Sequence, residues 1–82
     1  MTNQTDTPTY ATKDLYEASF LYAVGKELVD LARDNNQAWF IFADQHSCEE
    51  LVKQYWARKG SVTPKIFAEA IRSLKDKLFA NK

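Results

Sequence analysis

The sequence is poor in the residues that usually betray chemistry: 82 residues hold one cysteine, one histidine, two glycines and two prolines. A single cysteine makes no internal disulfide, and beside abundant aromatic material it fits a reducing compartment. One cysteine and one histidine do not complete a zinc site. Two isolated glycines, each at the end of a helix-like stretch, do not make a phosphate-cradling loop. No stretch reaches the roughly 18 to 20 consecutive apolar residues that a membrane-spanning helix needs, and residues 1–12 are polar where a signal peptide is basic and then apolar. Net charge is missing too, at zero, which argues against a generic duplex-DNA binder held by phosphate neutralisation. These absences predict a cytoplasmic protein with no cofactor, metal or membrane contact, and they imply no small-molecule substrate.

What is present is core material, with 45% apolar and 13% aromatic residues against 27% charged. That is the composition of a folded globule, and at this length a single domain buries about 60 to 65% of its unfolded surface. Charge is unevenly distributed. Residues 1–45 carry three basic and seven acidic side chains, a net of −4, and residues 46–82 carry eight basic and four acidic, a net of +4. Either the halves attract across their seam and present solvated helix faces, or the basic half meets an acidic partner or a nucleic-acid strand.

Residues 1–8 offer nothing to bury and read as a disordered tail, leaving residues 9–82 as one small α+β domain. Thr9-Tyr10-Ala11-Thr12 is compatible with a short edge strand. Asp14 and Glu17 have capping-box spacing and open a helix that is nearly apolar all round, with Gly25 placed to stop it. Residues 26–33 fit helix or strand, but the context favours a strand. Asp34-Asn35-Asn36-Gln37 has turn chemistry, and Ala38 to Ala43 is rich in strand formers, so a hairpin follows. Ser47 with Glu50 repeats the capping spacing, with Asp44 an alternative cap. Cys48, Leu51, Val52, Tyr55 and Trp56 then form an amphipathic stripe that runs to Arg58-Lys59 and a stop at Gly60. Thr63-Pro64 starts a last helix with Phe67, Ala70, Ile71, Leu74 and Leu78 on one face. The predicted order is helix, hairpin, helix, helix, with a third strand at 9–12 optional.

Asp44, His46 and Cys48 form the one cluster with nucleophile or ligand chemistry. Cys48, however, is the first member of the apolar stripe, where a thiol behaves as a small hydrophobe. Glu49 and Glu50 sit in a first helical turn, where acids favour the positive end of the dipole. No catalytic residues are assigned, and the chain is not read as an enzyme.

The strand Trp39-Phe40-Ile41-Phe42 is apolar on both faces, because alternate side chains point to opposite sides. Either the helices cover both faces, or one face is left for a dimer or partner, or its aromatics stack on nucleotide bases. The run from Tyr10 through Thr12, Asp14, Leu15 and Tyr16 into Ala18, Phe20, Leu21 and Gly25 resembles the opening of a family of small bacterial and phage-borne domains of unknown function. The resemblance extends through Arg33-Asp34, the Trp39-to-Asp44 strand, Cys48 to Val52, and Ala70, Arg72, Leu74 and Lys75. It implies the same element order, including the hairpin, and brings no activity or site residues. A departure is Asn35-Asn36, where that family commonly has a glycine, which leaves the turn geometry open.

The expectation is therefore a non-enzymatic interaction or regulatory module that binds a protein partner or forms a homodimer, and the resemblance implies a phage or mobile-element origin. Its candidate contact residues are Phe40 and Phe42 on the sheet and the basic set Lys53, Arg58, Lys59, Lys65, Arg72 and Lys75. The alternative is nucleic-acid binding through that basic set.

Overall fold

A computed structural model describes residues 8–80. The order is β1 (Thr9–Thr12), α1 (Leu15–Ala23), β2 (Leu28–Asp34), β3 (Gln37–Ala43), α2 (Gln45–Trp56) and α3 (Pro64–Ala80). The fold is α+β, and it opens on a strand rather than a helix. The tail expected at 1–8 lies outside the described residues except for Pro8, whose carbonyl accepts from the Gln45 amide at 3.0 Å.

The three strands form an antiparallel sheet in the order β1-β3-β2. The ambiguous segment becomes a strand because β3 follows at once and gives it a ladder. Asp34 pairs with Gln37, leaving a two-residue loop in which Asn35 and Asn36 have φ of 51° and 70°. Positive φ at both central residues is the hairpin geometry that matches strand twist, and asparagine tolerates it. Asn36→Gly removes the remaining Cβ penalty and is expected to raise stability by about 0.5 kcal/mol, read as a higher urea midpoint at unchanged slope.

Asp14 caps α1 by accepting from the Tyr16 and Glu17 amides. Its far end is a left-handed stop: Gly25 has φ 101°, its N–H reaches the Tyr22 carbonyl at 3.1 Å, and the Lys26 N–H reaches Leu21 at 3.0 Å. The N-cap of α2 is Asp44, not Ser47, and its carboxylate accepts from the Ser47 amide at 3.2 Å. Lys26 ties these two ends together, with Nζ 3.3 Å from the Asp44 carboxylate and 2.9 Å from Ser47 Oγ. Those bonds, the Ser47 amide first and Lys26 second, hold the Asp44 carboxyl below its ordinary pKa.

The stop of α2 corrects the sequence expectation. Trp56 is the last helical residue, Arg58 takes the left-handed position with φ 63°, and the Lys59 N–H bonds the Gln54 carbonyl at 2.7 Å. Gly60 lies two residues further on and serves packing instead. A Cβ there would come within 2.7 Å of the Phe20 ring, so any other residue would have to push that buried ring aside. In α3, the Thr63 hydroxyl caps the Ile66 amide at 3.2 Å ahead of Pro64.

The core gathers Ala18, Leu21, Phe40, Phe42, Cys48 and Leu74, so α1, α2 and α3 all bury residues against the Phe40/Phe42 face of the sheet. Leu28, Leu31, Leu51, Val52 and Leu78 pack around it. Trp39 and Ile41 belong to none of this, and cross-strand pairing sets Ala11, Asp30 and Ala32 beside them on the opposite face. An extra residue at Val29 bulges β2, and Val29 is 46% exposed.

Candidate interaction surfaces

Phe40 and Phe42 are 2% and 0% exposed, so they hold the fold together and are not contact residues. The reason is that three helices fit on one side of a three-stranded sheet, and they take the side where two phenylalanines, Tyr10 and Leu31 line up. The spare face is the other one. Trp39 and Ile41 are half-buried among strand neighbours, Val29 is exposed, and the Lys13 ammonium lies 5.8 Å from the centre of the Trp39 ring.

The basic candidates divide. Lys53 lies 3.7 Å from Glu50 one helical turn back. Lys65, Glu69, Arg72 and Asp76 follow one another at spacings of four, three and four, which stacks alternating signs along one stripe of α3. Lys75 is exposed and precedes Asp76. Arg58 and Lys59 differ, because the whole segment 51–68 contains Lys53, Arg58, Lys59 and Lys65 and no acid. Positive charge is therefore concentrated at the elbow between α2 and α3.

That elbow borders an open groove of about 410 Å³ lined by Phe20, Tyr55, Arg58, Gly60, Val62, Pro64 and Phe67. Six of the seven are apolar, aromatic or glycine, and Arg58 supplies the charge. The aromatic wall is ordered: the Phe20 and Tyr55 ring centres are 5.3 Å apart, and Trp56 stands edge-on to Tyr55 at 5.2 Å. Trp56, expected on the buried stripe, is 62% exposed.

Its indole is held from below. Glu17 is 6% exposed and, instead of closing a capping box, accepts from Trp56 Nε1 at 2.9 Å and from the Tyr10 hydroxyl at 2.6 Å. One carboxylate thus clamps β1, α1 and α2. The sequence carries a signal for it, since Glu17 is the one charged residue in α1. A lone carboxylate in an otherwise apolar helix must find donors. Burial first, then the bond to Glu17 and its charge, raise the Tyr10 pKa above the ordinary tyrosine value. A group whose pKa is raised on folding gives stability that is whole below its unfolded pKa of about 10 and is lost as pH climbs above it. Tyr10→Phe is expected to flatten that alkaline loss, measured as urea midpoints from pH 8 to 11.

Cys48 is fully buried, its thiol donates to the Ala43 carbonyl at 3.4 Å, and burial pushes its pKa up. A buried thiol of that kind is a poor nucleophile. Among the described residues, no three of His, Cys, Asp and Glu gather where they could hold a metal ion. Nor is any described helix long and apolar enough to cross a membrane.

A family model for a domain of unknown function, DUF5659, matches residues 7–80. The chain belongs to that family. No curated protein and no solved structure matches it. The DUF5659 match spans every described element, from β1 to α3, in keeping with the resemblance carried by the Tyr10-to-Gly25 and Trp39-to-Asp44 runs. Membership assigns no site, so the two surfaces of this DUF5659 domain, the bare sheet face and the elbow, must be judged on their own physics.

Proposed function

We propose that the protein is a non-enzymatic cytoplasmic interaction module, of phage or mobile-element origin, that binds a second copy of itself through the outer face of its sheet. The observation that carries this is the one-sided packing: Trp39 and Ile41 stand on a face to which no helix contributes a core residue, and the bulged Val29 of β2 is exposed. A sheet needs a cover on each apolar face. The margins of the face support a homotypic cover. Lys13 lies at the β1 side, and Asp30 and Asp34 lie on β2 at the other. Two copies related by a rotation about the strand direction set each margin against the opposite charge of the other copy.

Sedimentation velocity over a concentration series, at low and high salt, tests the reading. The expected result is a dimer that survives high salt, since the buried surface is mainly apolar. A monomer at every concentration removes the homotypic reading, and retention of a protein partner by that monomer, abolished by Ile41→Asp, would put another chain on the same face. The alternating signs along α3 weigh against nucleic acid as the ligand of Arg72 and Lys75.

A further inference from the structure

We propose that the α2–α3 elbow is a separate peptide-binding site, which takes one large apolar side chain of an acidic segment into the groove and pairs that segment's carboxylates with Arg58, Lys59 and Lys65. This site does not depend on the sheet face.

Three observations carry it. The first is shape and chemistry: about 410 Å³ of open groove walled by Phe20, Tyr55, Val62 and Phe67 suits one aromatic or branched aliphatic anchor. The second is charge. Arg58 is the single charged residue of the lining, no carboxylate of the described residues forms an ion pair with it, and segment 51–68 holds no acid. The two acids of the neighbouring α1 end that act on Tyr55 are already engaged, Asp14 in capping α1 and Glu17 in holding Trp56 and Tyr10. An apolar ligand bearing negative charge is the complement of that surface. A polyanion that needs a longer basic track meets Glu69 and Asp76 instead, as soon as it continues along α3.

The third observation concerns Arg58 itself. Four described residues other than glycine have positive φ, and three of them, Asn35, Asn36 and Asp44, are of the types that tolerate it. Arg58 is not, yet it occupies a helix-stop position where glycine is the usual residue. Glycine would relieve the backbone, so an arginine there sacrifices local stability, as residues at binding sites do. The left-handed turn is also what sets position 58 on the groove lining, beside Tyr55 and Gly60.

That strain provides a variant in which loss of binding cannot be confused with unfolding. Amide shifts of the ¹⁵N-labelled full chain would be followed by NMR during titration with a capped Asp-Glu-Phe-Glu-Asp peptide. Asp-Glu-Gly-Glu-Asp and Lys-Arg-Phe-Arg-Lys serve as controls. The acidic phenylalanine peptide is expected to move Tyr55, Gly60, Val62 and Phe67, and the controls to leave them. Arg58→Gly is expected to weaken that binding by about fivefold, the size of one partly exposed ion pair, while raising the urea midpoint. The proposal is overturned if those amides stay still, if either control moves them equally, or if Arg58→Gly binds as well as the parent. Stronger shifts with a single-stranded oligonucleotide at the same concentration would assign the cations to phosphate and overturn it as well.

Discussion

Phe42→Asp is expected to unfold the protein, whereas Ile41→Asp, one residue away, leaves it folded and monomeric. Phe42 is fully buried in the helix-covered layer, and even Phe42→Ala, which adds no charge, removes about 3 to 5 kcal/mol through lost burial and the cavity left behind. Total stability for a chain this size is about 4 to 12 kcal/mol, and an unpaired carboxylate in that layer adds a desolvation cost of several kcal/mol to the lost packing, so the aspartate variant is expected to be unfolded. Ile41 points the other way, beside Ala11 and Asp30 on the bare face. Its replacement costs about 1 kcal/mol of strand preference and inserts a charge where the second copy docks. Circular dichroism separates the two variants by fold, and sedimentation separates Ile41→Asp from the parent by mass. If both variants unfold, the outer face is covered within the chain and the proposed dimer surface does not exist.

Glu17→Ala is expected to cost about 2 to 3 kcal/mol, because two donors, the Tyr10 hydroxyl and the Trp56 indole, lose a charged acceptor at once. Glu17→Gln should cost under about 1 kcal/mol. The amide oxygen still accepts from the indole, and the amide nitrogen donates to a hydroxyl that can turn and accept. Urea unfolding of the two variants checks the order. Equal losses would mean that charge rather than hydrogen bonding holds the clamp. The fluorescence of Trp56 should shift in the alanine variant, since its ring is released from Glu17.

The elements were legible wherever a period or a cap dominated. The stripe Cys48, Leu51, Val52, Tyr55 and the face Phe67, Ala70, Leu74, Leu78 announce α2 and α3. Asn35-Asn36 announces the hairpin, and Thr9–Thr12 does become a strand. What the sequence does not carry is which apolar face of β3 the helices choose. Alternation makes Phe40/Phe42 and Trp39/Ile41 look alike, and the choice rests on tertiary partners supplied by Tyr10, Leu31 and three helices. The role of Glu17 is hidden for the same reason, since local spacing suggests a capping box and its real partners lie on β1 and α2. The elbow is also non-local: Phe20 reaches Gly60 across the fold, and glycine read as a helix stop hides that contact.

The sheet order also bears on the route by which the chain folds. β2 and β3 are joined by a two-residue turn and can zip as soon as they collapse, but β1 must find β3 from the far side of α1 and of the hairpin, with Thr9 opposite Ala43. Closing that long loop is slow relative to closing the turn. On loop length alone β1 is expected to join after the hairpin pairs, and the Tyr10–Glu17 hydrogen bond then ties it to α1; folding-rate φ-values near zero at Tyr10 beside higher ones in β2 and β3 are the expected result.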